Sequence, residues 1–435
     1  MAEVKRKPTV IDLFAGAGGI TEGFKWAGFD VVASLEMDPD ACITHKTNHP
    51  NTVIIEGDIT KRSVKTSLTK AVKGREIDVV VGGPPCQGFS LVGTRLGTNK
   101  NLGRFIDDPR NHLYKEFVKI VCKHKPKIFI MENVPGLFSY KKGLLKEQIE
   151  QDFTKIGYRV DVNIINAAEY GVPQIRKRVF FIGNRLGVKN VIPKKTHYDP
   201  EDLKVWQKES SERTLLKCEE PDIFKNKKAY VTLGEAISDQ PFLKAGGGVN
   251  ERVDYADDPK SAYQEFMRDP KKLIKGYRRL IVRGHKNTEG IYNHQCRNHN
   301  SFDIKRYAAL KEGGIFIDLP HDLRNGEMPV HFKDKYRKLD SKKPSYTIVA
   351  HLYKDGNAFV HPDRKQARTL TAREAARIQS FPDDFFFCKS RTSQFKQVGN
   401  AVPPLLAYHL ALAVKRMLTG KHLRQSHNVM SSLFR

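Results

Sequence analysis

Cys86 stands in the run Gly82-Gly83-Pro84-Pro85-Cys86-Gln87-Gly88-Phe89-Ser90, directly after a β-branched stretch at 78–82. Two prolines stiffen the backbone here, at the carboxyl end of a strand, which is where open parallel sheets bind ligands. A free cysteine is more often a small buried hydrophobe. A loop flanked by Gly and Pro is a poor place to bury one, and the chemistry it fits is nucleophilic attack. Glu132, in Met131-Glu132-Asn133-Val134-Pro135, follows another strand-like run and would project from the same edge as a proton donor or acceptor, unless it is a solvated loop carboxylate. Arg176 and Arg178 lie two apart in Gln174-Ile175-Arg176-Lys177-Arg178, so on a strand both point to one face. Either they converge on an anionic or carbonyl-bearing substrate or they cover a solvated edge strand.

The elements that must position these groups begin with Val10-Ile11-Asp12-Leu13-Phe14, which runs into Ala15-Gly16-Ala17-Gly18-Gly19 and then a helix. Glycines at such a turn let a ligand approach backbone amides and the helix N-terminus. The dinucleotide fingerprint is incomplete, because Thr21 occupies the place of its third glycine. The turn alone reads equally as a structural tight turn or as a nucleotide-type pocket. Glu36 at the end of the second strand and Gly57-Asp58-Ile59 after the third favour the pocket.

Strand-like runs at 9–14, 30–35, 52–55, 78–82, 127–132 and 179–183 alternate with amphipathic stretches, which predicts a parallel sheet wrapped by helices. Asp38-Pro39 has the form of a helix start leading into 41–48. From about 184 to 345 the chain turns irregular and basic, and seven basic residues fall between Arg268 and Arg283. Regular pattern returns with strands expected at 346–350 and 358–361, a helix at 371–380 opened by a Thr371/Glu374 capping box, and an amphipathic helix at 405–418. Gly399 reads as the pivot of a tight turn in Gln397 to Pro403.

The length of 435 residues suits two or three domains. Lys plus Arg number 75 against 49 Asp plus Glu, a net charge of +26, which points to a polyanionic partner or to a solvated basic surface. The basic stretches 268–283 and 333–343 interleave with Tyr277 and Tyr336, a pattern suited to phosphate contact and groove recognition. Six cysteines without a Cys-x-x-Cys pair read as reduced thiols. His294-Gln295-Cys296-Arg297-Asn298-His299 makes a poor zinc site, so no metal is expected. The first residues lack an apolar signal region, and no apolar run reaches the roughly 18 residues of a membrane span, so a cytoplasmic protein is expected.

Taken in order, these pieces resemble the DNA (cytosine-5) methyltransferase family of prokaryotic restriction-modification systems. The glycine turn is similar to its first cofactor motif, Pro84-Pro85-Cys86-Gln87 to its catalytic loop, Glu132-Asn133-Val134 to its Glu-Asn-Val motif, and Gln174 to Arg178 to its Gln-x-Arg-x-Arg motif. Arg373 to Pro382 and Gln397 to Pro403 are similar to its last two motifs, and only about 190–340 lacks a strong match.

The resemblance implies an α/β fold: a Rossmann-like S-adenosylmethionine-dependent methyltransferase sheet with a second, smaller, irregular DNA-recognition domain. It divides the chain into a catalytic and cofactor-binding domain at 1–188, a target-recognition domain and hinge at 189–392, a returning segment at 393–420 and a basic tail at 421–435. Cys86 would attack cytosine C6 of a flipped base, Glu132 would engage N3, and Arg178, with Arg176, would face the base and help ionise the thiol. S-adenosyl-L-methionine would lie among Phe14, Gly16, Gly18, Gly19, Glu36, Met37, Asp58, Ile59, Asn400 and Val402. Gln87, Ser90 and Thr347 would meet DNA, with 87–109 closing over the base. The implied partners are double-stranded DNA, bound by a monomer, and a cognate restriction endonuclease encoded nearby. Three rivals remain: the same chemistry on tRNA, a catalytically inactive nucleic-acid-binding protein, and a nicotinamide-dependent oxidoreductase.

Overall fold

The computed structural model describes residues 6–85, 113–139, 143–205, 226–272, 274, 290–324, 336–354 and 356–420. Cys86, Gln87, Ser90 and Tyr277 lie outside the described residues.

Among the described residues, eight strands form the first half of the chain: β1 Thr9–Leu13, β2 Asp30–Glu36, β3 Val53–Glu56, β4 Val79–Gly82, β5 Ile128–Asn133, β6 Arg159–Asn166, β7 Gln174–Ile175 and β8 Lys177–Asn184. Seven of them make one sheet in the order β3-β2-β1-β4-β5-β8-β6, parallel from β3 through β5. Helices α1 Gly19–Trp26, α2 Pro39–Asn48, α3 Arg62–Ala71, α4 Leu113–His124 and α5 Leu144–Lys155 accompany the strands. Order reverses between β1 and β4, so the crevice for a ligand opens at the carboxyl ends of these two strands.

Two features depart from the expected all-parallel sheet. β8 runs antiparallel to both β5 and β6, and β6 is an additional strand. Its Arg-Val-Asp-Val-Asn-Ile-Ile-Asn pattern is half-exposed along most of its length, as suits an edge strand, and it lacks the apolar run that marks the central ones.

Alternating side chains feed two cores. Ile128 and Ile130 enter the cluster that contains α1 and the C-terminal helices, while Phe129 and Met131 enter the one covered by α3, α4 and α5. This is the period-two alternation of a strand buried on both faces. Among the described residues no helix is long and apolar enough to cross a membrane.

The later part of the chain adds α6 Ala372–Ile378, α7 Arg391–Asn400 and α8 Pro404–Thr419. Local signals hold well here: Asp38 accepts from the Asp40 and Ala41 amides (3.0 and 3.3 Å), and Thr371 and Glu374 close a capping box on α6. α8 is buried around most of its circumference, because it fills the space between α1 and the rest of its core, so it is not simply amphipathic. The strands expected at 346–350 and 358–361 shrink to the pair Ser345–Tyr346 on β7 and to isolated bridges at Val360. The middle segment shares the first core through Tyr263, Phe266 and Leu339, and adds a small cluster around Tyr307 and Phe316.

Candidate active site

The glycine turn is built by contacts that the motif alone does not reveal. Gly16 N–H donates to Glu36 Oε2 (2.8 Å), and the Met37 and Asp38 amides both donate to Oε1 (2.8 Å each). The Glu36 carboxylate thus braces the ends of β1 and β2 and keeps about one lone pair, on Oε2, for a ligand hydroxyl. A Cβ on Gly16 would meet nothing within 4 Å, so this glycine faces open space.

Gly18 and Gly19 are glycines for other reasons. Gly18 has φ 99°, and a Cβ there would sit 2.8 Å from the His49 ring; a Cβ on Gly19 would sit 2.2 Å from the Val402 carbonyl oxygen. Both positions are set by protein packing against the loop. The returning segment 397–403 therefore does lie on the glycine turn, and Lys396 Nζ pairs with Asp38 Oδ2 at 2.6 Å across the same junction.

Thr21 takes the place of the missing third glycine by serving Asp12. Its hydroxyl donates to Asp12 Oδ2 (2.7 Å), and its backbone amide also bonds to this carboxyl group. Asp12 is fully buried, and burial raises its pKa to about 7. A carboxyl group from β1 thus occupies the α1 N-terminus, the place a dinucleotide fold keeps for pyrophosphate. An acidic residue inside an otherwise apolar run was the available signal for it. The folded state holds a proton there between about pH 4 and 7 that the unfolded chain, with a reference pKa of about 3.9, has released. Stability therefore falls as pH rises through this window. Asp12→Asn is expected to flatten that fall, as urea unfolding at stepped pH would show; an unchanged slope would refute this account.

The other expected cofactor residues divide. Phe14 (φ 56°) and Met37 stand at the strand ends, Met37 being 66% exposed. Asp58 accepts from the Thr60 amide (2.8 Å), a bond that holds its carboxyl group below the usual range. The Ile59 side chain is 3% exposed and enters the second core. Asn400 ends α7 exposed, whereas the Val402 side chain is buried. Gly399 is helical and forms no tight turn. It is glycine because a Cβ would lie 2.3 Å from the Ala350 nitrogen.

The reacting edge lies one strand further on. Because β8 is antiparallel, its start lies beside the carboxyl end of β5, with Asn133 opposite Val179 and Glu132 opposite Phe180. Arg178, two residues from Phe180, reaches Glu132 with Nε 3.0 Å from Oε1. Burial raises the Glu132 pKa and lowers that of Arg178, each shift being opposed by the ion pair. The Gly83-Pro84-Pro85 segment that follows β4 lies against Glu132 and Asn133. Glu132 Oε2 lies 2.8 Å from where a Gly83 Cβ would be, and Asn133 Nδ2 donates to the Pro84 carbonyl (3.4 Å).

Arg176 does not join this pair at the edge. It falls at the break between β7 and β8, is 2% exposed, and donates to the carbonyls of Ile348 (2.7 Å), Gly399 (3.2 Å) and Ala401 (2.9 Å). One guanidinium thus clamps the end of the middle segment to the returning segment, and the expected convergence of two forks on a substrate is corrected to one. Gln174 assists by accepting from the Ile348 amide (3.0 Å) and donating to Gln379 (2.6 Å). The half-buried Thr347 donates its hydroxyl to the Ile175 carbonyl (2.6 Å) at this seam.

The basic stretches are also partly internal. Lys338 is fully buried and donates to the Tyr307 and Leu310 carbonyls; burial lowers its pKa to about 8. Tyr336 donates to Asp303 (2.7 Å), and Arg268 pairs with Asp239 (2.7 Å). His294 spends its two nitrogens on Thr371 and Pro241 (3.1 and 2.9 Å), while His299 meets Thr369 (3.3 Å). Their partners are protein groups that steady the loop before α6.

Residues 8–416 match the family model described as C-5 cytosine-specific DNA methylase. The chain is 35% identical over 414 residues to the Type II methyltransferase M1.HphI of Haemophilus parahaemolyticus, covering 95% of this chain and 88% of that one. It is 36% identical over 441 residues to M.DdeI of Desulfomicrobium norvegicum, covering 97% and 91%. A crystal structure of a prophage-encoded DNA modification methyltransferase from E. coli aligns over 95% of this chain and 100% of its own, with a TM-score of 0.67 and 26% identity. A sheet with β8 reversed, a carboxylate–guanidinium pair beside the Gly83-Pro84-Pro85 segment and a match spanning nearly the whole chain lead to one assignment: the protein belongs to the C-5 cytosine-specific DNA methylase family, as a DNA cytosine methyltransferase of the restriction-modification type.

Proposed function

We propose that the protein methylates C5 of a cytosine within a specific double-stranded DNA sequence, with S-adenosyl-L-methionine as methyl donor and Cys86 as covalent nucleophile. The observation that supports this reading is the Gly83-Pro84-Pro85 segment after β4, which lies against Glu132 of the Glu132–Arg178 pair and immediately precedes Cys86 in the sequence.

The Cys86 thiolate adds to C6 of the base. The C5=C6 electron pair is thereby pushed toward C5 while Glu132, held by Arg178, donates its proton or a hydrogen bond to N3. C5 then takes the methyl group, loses its own proton, and the returning electron pair expels the thiolate. The cofactor, when bound, supplies an electrophilic methyl group and carries no phosphate, which agrees with an α1 N-terminus already taken by Asp12. Phe14, Gly16, Glu36, Met37, Asp58 and Asn400 are the residues that would hold it. Because C5 and C6 are shielded within a duplex, the cytosine is flipped into this edge.

In this reading 1–188 and 393–420 form the catalytic domain and 189–392 the recognition domain and hinge, with the basic tail 421–435 beyond. The protein acts on DNA as a monomer in the prokaryotic cytoplasm, beside a restriction endonuclease of the same specificity. Tritiated methyl transfer offered duplex DNA and tRNA together tests the substrate, and bisulfite sequencing of DNA from an expressing host maps the site. Label is expected in DNA, at one recurring sequence; label confined to tRNA would overturn the reading.

A further inference from the structure

The chain carries a net charge of +26, yet Lys338 and Arg268 of the middle segment spend theirs inside the protein. Among the described residues, a dense run of exposed basic charge also lies on two helices of the first half of the chain. Residues 61–75 hold six Lys and Arg and no acid, and 113–125 hold four Lys with Glu116 as the single acid. These are the stretches of α3 and α4, which share a layer. Leu68 of one helix and Phe117 and Ile120 of the other enter the same core. Lys65 pairs with Glu116 (2.6 Å) and Lys123 donates to Thr69 (2.7 Å) across the groove between them. Lys70, Lys73 and Lys115 are exposed, and Lys119, also exposed, pairs with Glu116 (2.6 Å).

The charge is segregated, not spread: α5, in the same layer, carries Glu147, Glu150 and Asp152 against Lys146 and Lys155. Lys115, Lys119 and Lys123 recur every four residues, about 6 Å apart along the helix. Like charges stacked in this way disfavour a helix unless a polyanion lies over them. No large hydrophobic residue of α3 or α4 is exposed, so the stripe lacks the inserting groups of a membrane-surface helix. α3 follows β3 and α4 precedes β5, so the stripe belongs to the crossovers of the parallel part of the sheet. The 12 residues of α4 extend about 18 Å, the rise of about five base pairs.

We propose that this stripe is a second DNA contact, which takes phosphates of the duplex flanking the target sequence. The proposal rests on the reading of the protein as a DNA methyltransferase. The test compares two duplexes, one just covering the site mapped by bisulfite sequencing and one extended by several turns on each side. The triple variant Lys70→Gln, Lys73→Gln, Lys115→Gln removes three charges from the stripe. Lys7→Gln, Lys46→Gln, Lys155→Gln removes the same charge at exposed lysines outside both the stripe and the recognition segment. Stripe variants are expected to bind the long duplex roughly 10-fold more weakly, and the slope of log K against log salt should become shallower by about 0.9 for each phosphate that is no longer neutralised. Their affinity for the short duplex and their methylation of it should match wild type, and the control triple should bind both duplexes as wild type does. Equal losses on both duplexes, no loss on the long one, the same loss in the control triple, or weakened binding to anionic lipid vesicles in place of DNA would each overturn the proposal.

Discussion

Cys86→Ser is expected to lower methyl transfer by on the order of 10⁴-fold or more, while affinity for the target duplex stays within about threefold. In the proposed mechanism the thiolate forms and breaks a bond to C6 but adds little contact in the bound ground state. A serine hydroxyl in its place is both a weaker nucleophile and far harder to ionise at neutral pH. The thiol has a reference pKa of about 8.5, and the residues just before it, Gly83 to Pro85, lie against Glu132 of the Glu132–Arg178 pair. Duplex carrying 5-fluorocytosine at the target gives a complementary readout. With fluorine in place of the C5 proton, elimination stalls, and wild-type protein should form an adduct that survives denaturation and maps to Cys86. Residual transfer near the wild-type rate in the serine variant, or an adduct at another residue, would sink the mechanism.

Glu132→Gln is expected to cost about 10²–10⁴-fold in single-turnover transfer, the usual range for a positioned acid or base. An amide can still donate a hydrogen bond to N3 but cannot transfer a proton. Burial raises the carboxyl pKa, with Arg178 and then Arg176 opposing the shift. The protonated, working form therefore persists to higher pH than in a solvated glutamate, and activity declines as pH rises through that titration. The variant should lose this alkaline limb and keep the acidic limb that reports Cys86 ionisation. Arg178→Gln acts on the same limb with the opposite sign: removing the cation raises the carboxyl pKa further and moves the decline to higher pH. If pH profiles of the Glu132→Gln and wild-type proteins coincide apart from a constant factor, Glu132 is not the titrating group.

A large part of this protein was legible along the chain wherever the governing physics is short-range. The strand-to-helix glycine turn, the Asp38-Pro39 helix start and the Thr371/Glu374 box follow from sterics and capping within four residues, and the structure contains each of them. The alternation of β-branched runs announced β1 to β5, because a strand buried on both faces needs apolar side chains on both. The order of motifs was likewise enough to name the family.

What the chain could not disclose is where side chains distant in sequence meet. Arg176 and Arg178 are the same residue type two positions apart, yet one clamps three carbonyls in the interior while the other holds Glu132 at the edge. That difference arises because the strand breaks at Arg176 and β8 then runs antiparallel, a choice made by sheet pairing and not by local preference. Lys338 and Tyr336 look like any surface pair in a basic stretch, but a small core closes around them and turns both to internal hydrogen bonds. Gly19 and Gly399 read as loop glycines until Val402 and Ala350 arrive from elsewhere in the chain to fill the space a Cβ would need. Sequence alone therefore determined the elements and the reacting groups they carry, whereas burial, strand direction and close approach, which depend on partners far along the chain, decided which of those groups face a ligand and which hold the protein together.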